Sequence, residues 1–177
     1  DEKSVPRVVA MGFDKIKIAS CSFTDWPLLE EISKHDLPVI GSTAGCNQVE
    51  VDNVISFFLN RKKNLSIMHC VGLYPTPFEE LNLSRISYFV ERYPNIRIGY
   101  STHENPKETI PVAVSVGLGA TVFEKHVALP TEKYGINEYS SAMDDLKNWL
   151  ETLRKSILAL NDVDQSNYVN RKEIETL

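Results

Sequence analysis

Two short stretches of the chain each end in a histidine, and these histidines are the residues best suited to chemistry. The first stretch runs from Arg97 to His103 and the second from Thr121 to His126. A segment of helical character, Pro106 to Leu118, separates them, which predicts a strand–helix–strand unit. Parallel strands joined in this way bring both histidines to one edge of the sheet, where two imidazoles can hold one divalent metal ion. Each histidine taken alone is more often a hydrogen-bonded structural residue.

The cysteines offer a second, weaker candidate for chemistry. Cys70 follows His69 at the end of an apolar run, a position that suits a nucleophile. A small buried residue at a strand end explains it more simply, because free cysteines are commonly buried. Cys21 and Cys46 form no C-x-x-C pair with it, so three reduced thiols are expected.

The elements that must position these residues follow a repeated β/α rhythm. Residues 1–14 are polar and then mixed, as in the tail of a preceding helix or loop. Alternating or continuous apolar runs predict strands, and apolar residues at helical spacing predict the helices between them. The predicted strands cover residues 15–20, 38–43, 65–70, 97–101 and 120–126. The predicted helices cover residues 28–35, 49–59, 83–93, 106–118 and 144–160.

Five strands that alternate with helices indicate an α/β fold with a parallel sheet. Two architectures fit: an open doubly wound sheet, or part of a closed (β/α)8 TIM barrel. Polar residues follow all five predicted strands, which favours a barrel mouth. A complete barrel needs about 250 residues. We therefore expect residues 1–160 to supply about the last five βα units, with the first strands before Asp1, and residues 161–177 to form a C-terminal tail or linker.

Composition narrows the possible classes of function. The chain has 177 residues, is 42% hydrophobic and 24% charged, and carries a formal net charge of −5. The chain contains no block of Lys and Arg residues that could form a nucleic-acid surface. No apolar run approaches the roughly 20 residues that span a bilayer. We expect a cytoplasmic protein that binds neither nucleic acid nor membrane.

The order and spacing of several motifs resemble the barrel domain of the sialic acid synthase (N-acetylneuraminate synthase) family. The H-C…Y-P-T-P and E-K-H blocks, in that order, are the most specific of them. The matching segments are Lys17 to Ser20, Pro38 to Thr43, His69-Cys70, Tyr74 to Pro77, Asn82-Leu83, Ile98 to Ser101, His103, Gly119-Ala120 and Glu124 to His126.

The resemblance implies a reaction and its partners. Such synthases condense phosphoenolpyruvate with the open-chain aldehyde of an N-acylated amino sugar, similar to N-acetylmannosamine, and release phosphate. A divalent metal, Mn²⁺ or Mg²⁺, would polarise the aldehyde oxygen as a Lewis acid. The resemblance also implies a homodimer of the full-length protein.

The resemblance further assigns roles to nine residues. His103 and His126 fall on the two metal-binding positions of the family. Lys17, as a catalytic residue, faces the phosphate and carboxylate of phosphoenolpyruvate, and Glu124, two residues before a metal ligand, supports an imidazole or a substrate hydroxyl. The substrate-binding candidates are Ser20, Ser42, Tyr74, Ser101 and Asn137. The serines also suit helix caps, and Tyr74 also suits loop packing.

Several departures from the family pattern leave the function open. Thr102 stands where an aspartate is usual, Cys21 and Ser22 replace a glycine and a glutamate, and Gly72 replaces an asparagine. The late G-x-D-H segment appears as Gly135 to Glu138, without the acid or the histidine. A divergent enzyme with another acceptor sugar and an inactive relative that binds sugar or acts as a scaffold both explain these changes. A third interpretation, an aldolase with Lys17 or Lys125 as Schiff base, requires a desolvated lysine.

Overall fold

The computed structural model of the protein describes residues 1–160, so the tail predicted over residues 161–177 lies outside the described residues. Its helices and strands alternate along the chain as the sequence predicts. In order they are α1 (Val5–Ala10), β1 (Ile16–Ile18), α2 (Trp26–Ser33), β2 (Val39–Ser42), α3 (Gln48–Asn60), β3 (Leu65–Cys70), α4 (Ser84–Arg92), β4 (Arg97–Thr102), α5 (Ile110–Gly117), β5 (Val122–Lys125) and α6 (Met143–Leu160).

The five strands form one parallel sheet in the order β1-β2-β3-β4-β5. A doubly wound sheet reverses its strand order at a switch point, whereas a barrel adds each strand beside the previous one. The consecutive order therefore decides against the doubly wound alternative.

The sheet is strongly curved. In a flat sheet, the first and fifth strands would lie about 19 Å apart, since neighbouring strands are about 4.8 Å apart. Yet the Lys17 ammonium on β1 lies 3.2 Å from a Glu124 carboxylate oxygen on β5. Side chains from the two outermost strands meet across the concave face, so the sheet has the curvature of a half-barrel.

The core lies between the convex face of the sheet and the helices. It joins fully buried side chains of the helices, such as Leu29, Val54 and Phe58, to strand residues such as Ile67 and Ile98. Gly41 on β2 allows Phe23 to pack closely, because a Cβ atom built on Gly41 would lie 2.6 Å from the Phe23 ring. No helix within residues 1–160 is long and apolar enough to cross a bilayer.

Most predicted boundaries lie within two residues of the observed ones, and two differences are larger. Residues 5–10 form a short helix of their own, where the sequence suggested only the tail of an earlier element. The helix predicted from Pro106 begins at Ile110, because the Asn105 side chain and carbonyl accept the backbone N–H groups of Lys107 and Glu108 in a turn.

Candidate active site

A pocket of about 360 Å³ opens at the carboxyl ends of the strands, on the concave face of the sheet. It is lined by every predicted site residue except Asn137. Strand alternation explains this convergence, because successive side chains point to opposite faces. The register pairs Ser101 with Glu124 and Cys70 with Ser101, so these three side chains share the concave face.

Lys17, Glu124 and Ser101 form a connected polar group on the floor of the pocket. Lys17 lies 3.2 Å from one carboxylate oxygen of Glu124, and the Ser101 hydroxyl donates a 2.7 Å hydrogen bond to the other. The Lys17 side chain is 31% exposed and the Glu124 side chain 38% exposed, so both remain accessible from the pocket. Glu124 thus holds a cation and a hydroxyl donor side by side.

The hydroxyl groups of the two other pocket serines differ in their hydrogen bonding. The Ser20 hydroxyl accepts a 3.1 Å hydrogen bond from the Ala44 backbone N–H and so joins the loops that follow β1 and β2. Ser42 is 2% exposed, and its hydroxyl has no hydrogen-bond partner within residues 1–160. A buried hydroxyl without a partner costs free energy, so Ser42 presents an unused donor to whatever fills the pocket.

The two histidines predicted to bind metal lie side by side in the pocket. Their ring centroids are 5.1 Å apart. His103 Nδ1 lies 2.8 Å from the Val71 carbonyl, which can only accept, so Nδ1 carries the proton and Nε2 keeps its lone pair. Burial lowers the pKa of His103, an effect that the Val71 hydrogen bond opposes and the neighbouring His126 reinforces. A neutral imidazole with one free nitrogen is the form that binds metal.

The donor set fits a divalent ion held by two imidazoles. With metal–nitrogen distances of about 2.1 Å, two imidazoles on one ion place their centroids about 5 Å apart, as found for His103 and His126. Within the described residues, no group of three His, Cys, Asp or Glu side chains is arranged to hold a metal ion. The pair of histidines is the part of the pocket whose spacing suits one such ion.

Two tyrosines pack against the histidines at the pocket mouth. The Tyr74 ring lies 4.2 Å from the His103 ring, and the Tyr139 ring lies 5.2 Å from the His126 ring. The tyrosine rings also contact each other edge to face, with centroids 5.1 Å apart. Sequence reasoning missed Tyr139, because nothing in the pattern of the loop after β5 indicates which of its residues folds back.

The Tyr139 position follows from how that loop returns to the sheet. The Ser141 backbone N–H donates to the His126 carbonyl, and the Ala128 N–H donates to the Ser141 carbonyl. Asn137 is exposed, and its side-chain oxygen accepts the Tyr139 backbone N–H at 3.3 Å. Asn137 thus shapes the loop from outside the residues that line the pocket.

Two further candidates match the simpler interpretations. Cys70 is buried, and burial raises the pKa of its thiol, which disfavours the thiolate that a nucleophile requires. His69 points to the opposite face of the sheet, where its Nε2 lies 2.8 Å from the Leu81 carbonyl. Cys21, which is not among the predicted site residues, also lines the pocket.

Comparisons with known proteins find matches over most of the length of the chain. The NeuB family model matches residues 1–165. The N,N'-diacetyllegionaminic acid synthase of Legionella pneumophila is 27% identical over 186 residues, which cover 100% of this chain and 51% of that protein.

Two solved structures resemble the chain closely. The "putative spore coat polysaccharide biosynthesis protein E" of Chromobacterium violaceum superimposes with a TM-score of 0.93 at 49% identity, covering 99% of this chain and 52% of that one. The N-acetylneuraminic acid (sialic acid) synthetase of Leptospira borgpetersenii gives 0.89 at 28% identity, covering 99% of this chain and 60% of that one. The chain therefore spans roughly half the length of these relatives.

Proposed function

Because this chain belongs to the NeuB family, we propose that its pocket serves a synthase of nonulosonic, sialic-type acids. The reaction condenses phosphoenolpyruvate with the aldehyde of an N-acylated amino sugar and releases phosphate. The observation that supports the proposal is a single pocket that combines an ammonium group, two hydroxyl groups and two imidazoles. The ammonium group belongs to Lys17, the hydroxyl groups to Ser42 and Ser101, and the imidazoles to His103 and His126.

Phosphoenolpyruvate binds, in this proposal, on the side of the pocket that holds Lys17. A small, highly charged anion needs a cation and several hydrogen-bond donors in a small space. Lys17 provides the cation, and Ser42 provides a donor that no residue of the described chain uses. Glu124 holds the Lys17 ammonium and the Ser101 hydroxyl next to each other on this side of the pocket.

The acceptor aldehyde binds on the side of the two histidines. A divalent ion, Mn²⁺ or Mg²⁺, bound by His103 and His126 would polarise the aldehyde oxygen as a Lewis acid. The Val71 carbonyl fixes the tautomer of His103, so its Nε2 is ready to bind without a proton transfer. Tyr74 and Tyr139 form an aromatic wall beside this position.

For the whole protein we propose the complete (β/α)8 barrel. The five strands are parallel and consecutive, and their curvature brings the side chains of β1 and β5 into contact. Three further strands between β5 and β1 would close such a sheet and pair its open edges.

The test is metal-dependent phosphate release from phosphoenolpyruvate by the full-length protein, with a panel of N-acylated amino sugars as acceptors. We expect release with at least one acceptor and its loss on chelation. His126→Ala should abolish release. His35→Gln, which changes a histidine on the far side of the fold near Glu31, should leave release unchanged.

The same assay also distinguishes the two candidate functions. Absence of phosphate release with every acceptor, in a protein that still binds phosphoenolpyruvate, would reject the synthase and favour a sugar-binding or scaffold relative. Release without any dependence on His126 would reject the role of the histidines and keep the synthase.

A further inference from the structure

A buried ion pair joins Glu104 and Lys125, which are the sequence neighbours of the two histidines. The Lys125 ammonium donates to a Glu104 carboxylate oxygen at 3.0 Å, and the side chains are 3% and 1% exposed. The buried Tyr100 hydroxyl donates to the second carboxylate oxygen at 3.1 Å. Burial, followed by the negative charge of Glu104, raises the pKa of Tyr100, so its hydroxyl stays protonated as a donor.

Lys125 is among the residues that line the pocket, but its side chain is only 3% exposed, and the ion pair lies on the face of the strands opposite the Ser101–Glu124 hydrogen bond. Strand alternation places Tyr100 and Glu104 on the face opposite Ser101 and His103. Lys125 is likewise opposite Glu124. The ends of β4 and β5 are therefore joined on both faces: Ser101 to Glu124 on the concave face, and Glu104 to Lys125 on the convex face.

The ion pair lies where the backbone pairing of β4 with β5 ends. The register of β4 with β5 ends with Thr102 opposite Lys125. His103 and His126 each follow the last paired residue of their strand. Glu104 is the sequence neighbour of His103, and Lys125 is the sequence neighbour of His126. Their ion pair therefore joins the two strand ends at the point where backbone pairing ends.

Stability does not explain this pair. Removing two charges from water is costly, and replacing a buried ion pair by apolar residues of similar volume is often neutral or stabilising. Buried ion pairs have a better-attested use in fixing one arrangement of the chain among several. Here the arrangement that would be fixed is the spacing of two imidazoles whose centroids lie 5.1 Å apart.

We propose that Lys125 and Glu104 are positioning residues, whose ion pair sets the separation and orientation of the His103 and His126 imidazoles. As far as these imidazoles hold a divalent ion, the inference rests on the proposed function. Glu104 and Lys125 act through the backbone of their neighbours, since their side chains, 1% and 3% exposed, are engaged with each other.

The test uses the full-length protein with the double substitution Lys125→Met and Glu104→Gln. This variant removes both charges, keeps the side-chain volumes and leaves an oxygen to accept the Tyr100 hydroxyl. Lys125→Arg retains the ion pair and serves as the conservative variant. Glu151→Gln removes an exposed ion pair of α6, between Glu151 and Lys155, and serves as the matched control.

Two readouts do not depend on activity. The first is the dissociation constant of Mn²⁺, measured by electron paramagnetic resonance. The second is the ¹⁵N spectrum of the histidine rings in metal-free protein, which reports whether His103 keeps its proton on Nδ1. The double variant should raise the Mn²⁺ dissociation constant at least tenfold and disturb the His103 signals. Lys125→Arg and Glu151→Gln should match the wild type within about twofold.

The inference is overturned if the folded double variant keeps both the Mn²⁺ affinity and the His103 spectrum. It is also overturned if the double variant does not fold, since the pair would then be structural, or if Lys125→Arg behaves no better than the double variant. Failure of the wild type to bind Mn²⁺ would count against the proposed metal. The ring spectra would then decide the positioning role alone.

Discussion

Because the buried Ser42 hydroxyl has no hydrogen-bond partner within residues 1–160, we expect its removal to change stability and ligand binding in opposite directions. Ser42→Ala removes a hydroxyl that is 2% exposed and has no partner within residues 1–160. Burying such a group costs roughly 1–3 kcal/mol, so the variant should be as stable as the wild type or more stable by up to about 1 kcal/mol. Most substitutions of buried residues have the opposite effect.

Binding should respond in the other direction. A hydrogen bond to a charged group contributes about 1.5–3 kcal/mol, and about 1.4 kcal/mol corresponds to a tenfold change in affinity. If Ser42 donates to phosphoenolpyruvate, the dissociation constant of this ligand should rise at least about tenfold in Ser42→Ala. Isothermal titration of the full-length protein measures the affinity, and urea denaturation measures the free energy of unfolding.

Thr102→Val is the matched control. The Thr102 hydroxyl is also buried without a partner in the described residues, but it lies on the convex face, opposite Ser101. Thr102→Val should show the same gain in stability with no change in affinity. Unchanged affinity in Ser42→Ala, or an equal loss in both variants, would refute the idea that Ser42 faces the anion.

Three further predictions concern the charges and the packing. Lys17→Met should weaken phosphoenolpyruvate binding by about 10- to 100-fold at low salt, because it removes the cation beside the anion; an unchanged titration would contradict that role. Arg92 lies 2.6 Å from Asp52 and lowers the pKa of that carboxyl to about 2. The group's contribution, discounted for exposure to about 1 kcal/mol, should be complete above about pH 4 and lost as pH falls through about 2. Asp52→Asn should therefore be less stable than the wild type at pH 7 but not at pH 2, as followed by denaturation at each pH. Gly41→Ala should destabilise the protein by about 1–3 kcal/mol, because the new Cβ would overlap the buried Phe23 ring; a smaller loss in thermal unfolding would mean that the ring moves freely.

The sequence predicted most of the architecture, because its signals are local. Apolar runs of four to six residues bounded by turns located all five strands, and β3 matches its predicted bounds over residues 65–70. The boundary errors fall where a turn competes with a helix, as at Asn105. A side chain that captures nearby N–H groups leaves no trace in hydrophobic periodicity.

The candidate site was predictable to the same extent. Polar residues at strand ends, read together with the family resemblance, identified residues of which all but Asn137 line one pocket. Tyr139 escaped because the loop after β5 returns to the sheet through backbone hydrogen bonds, which any residue type can form. Glu104 shows the same limit: nothing in the sequence indicates that this carboxylate, among those of the chain, pairs with Lys125.

By itself, the sequence determined the order of the elements and, through strand alternation, which side chains share a face of the sheet. Tertiary structure decided which of them meet. Lys17 and Glu124 are 107 positions apart and sit on the outermost strands, so their 3.2 Å contact exists only because the sheet curves. The buried pair of Lys125 with Glu104 and the unused hydroxyl of Ser42 likewise depend on what packs around them. The physical reason is that periodicity is a property of neighbouring residues, whereas curvature and burial are properties of the assembled sheet.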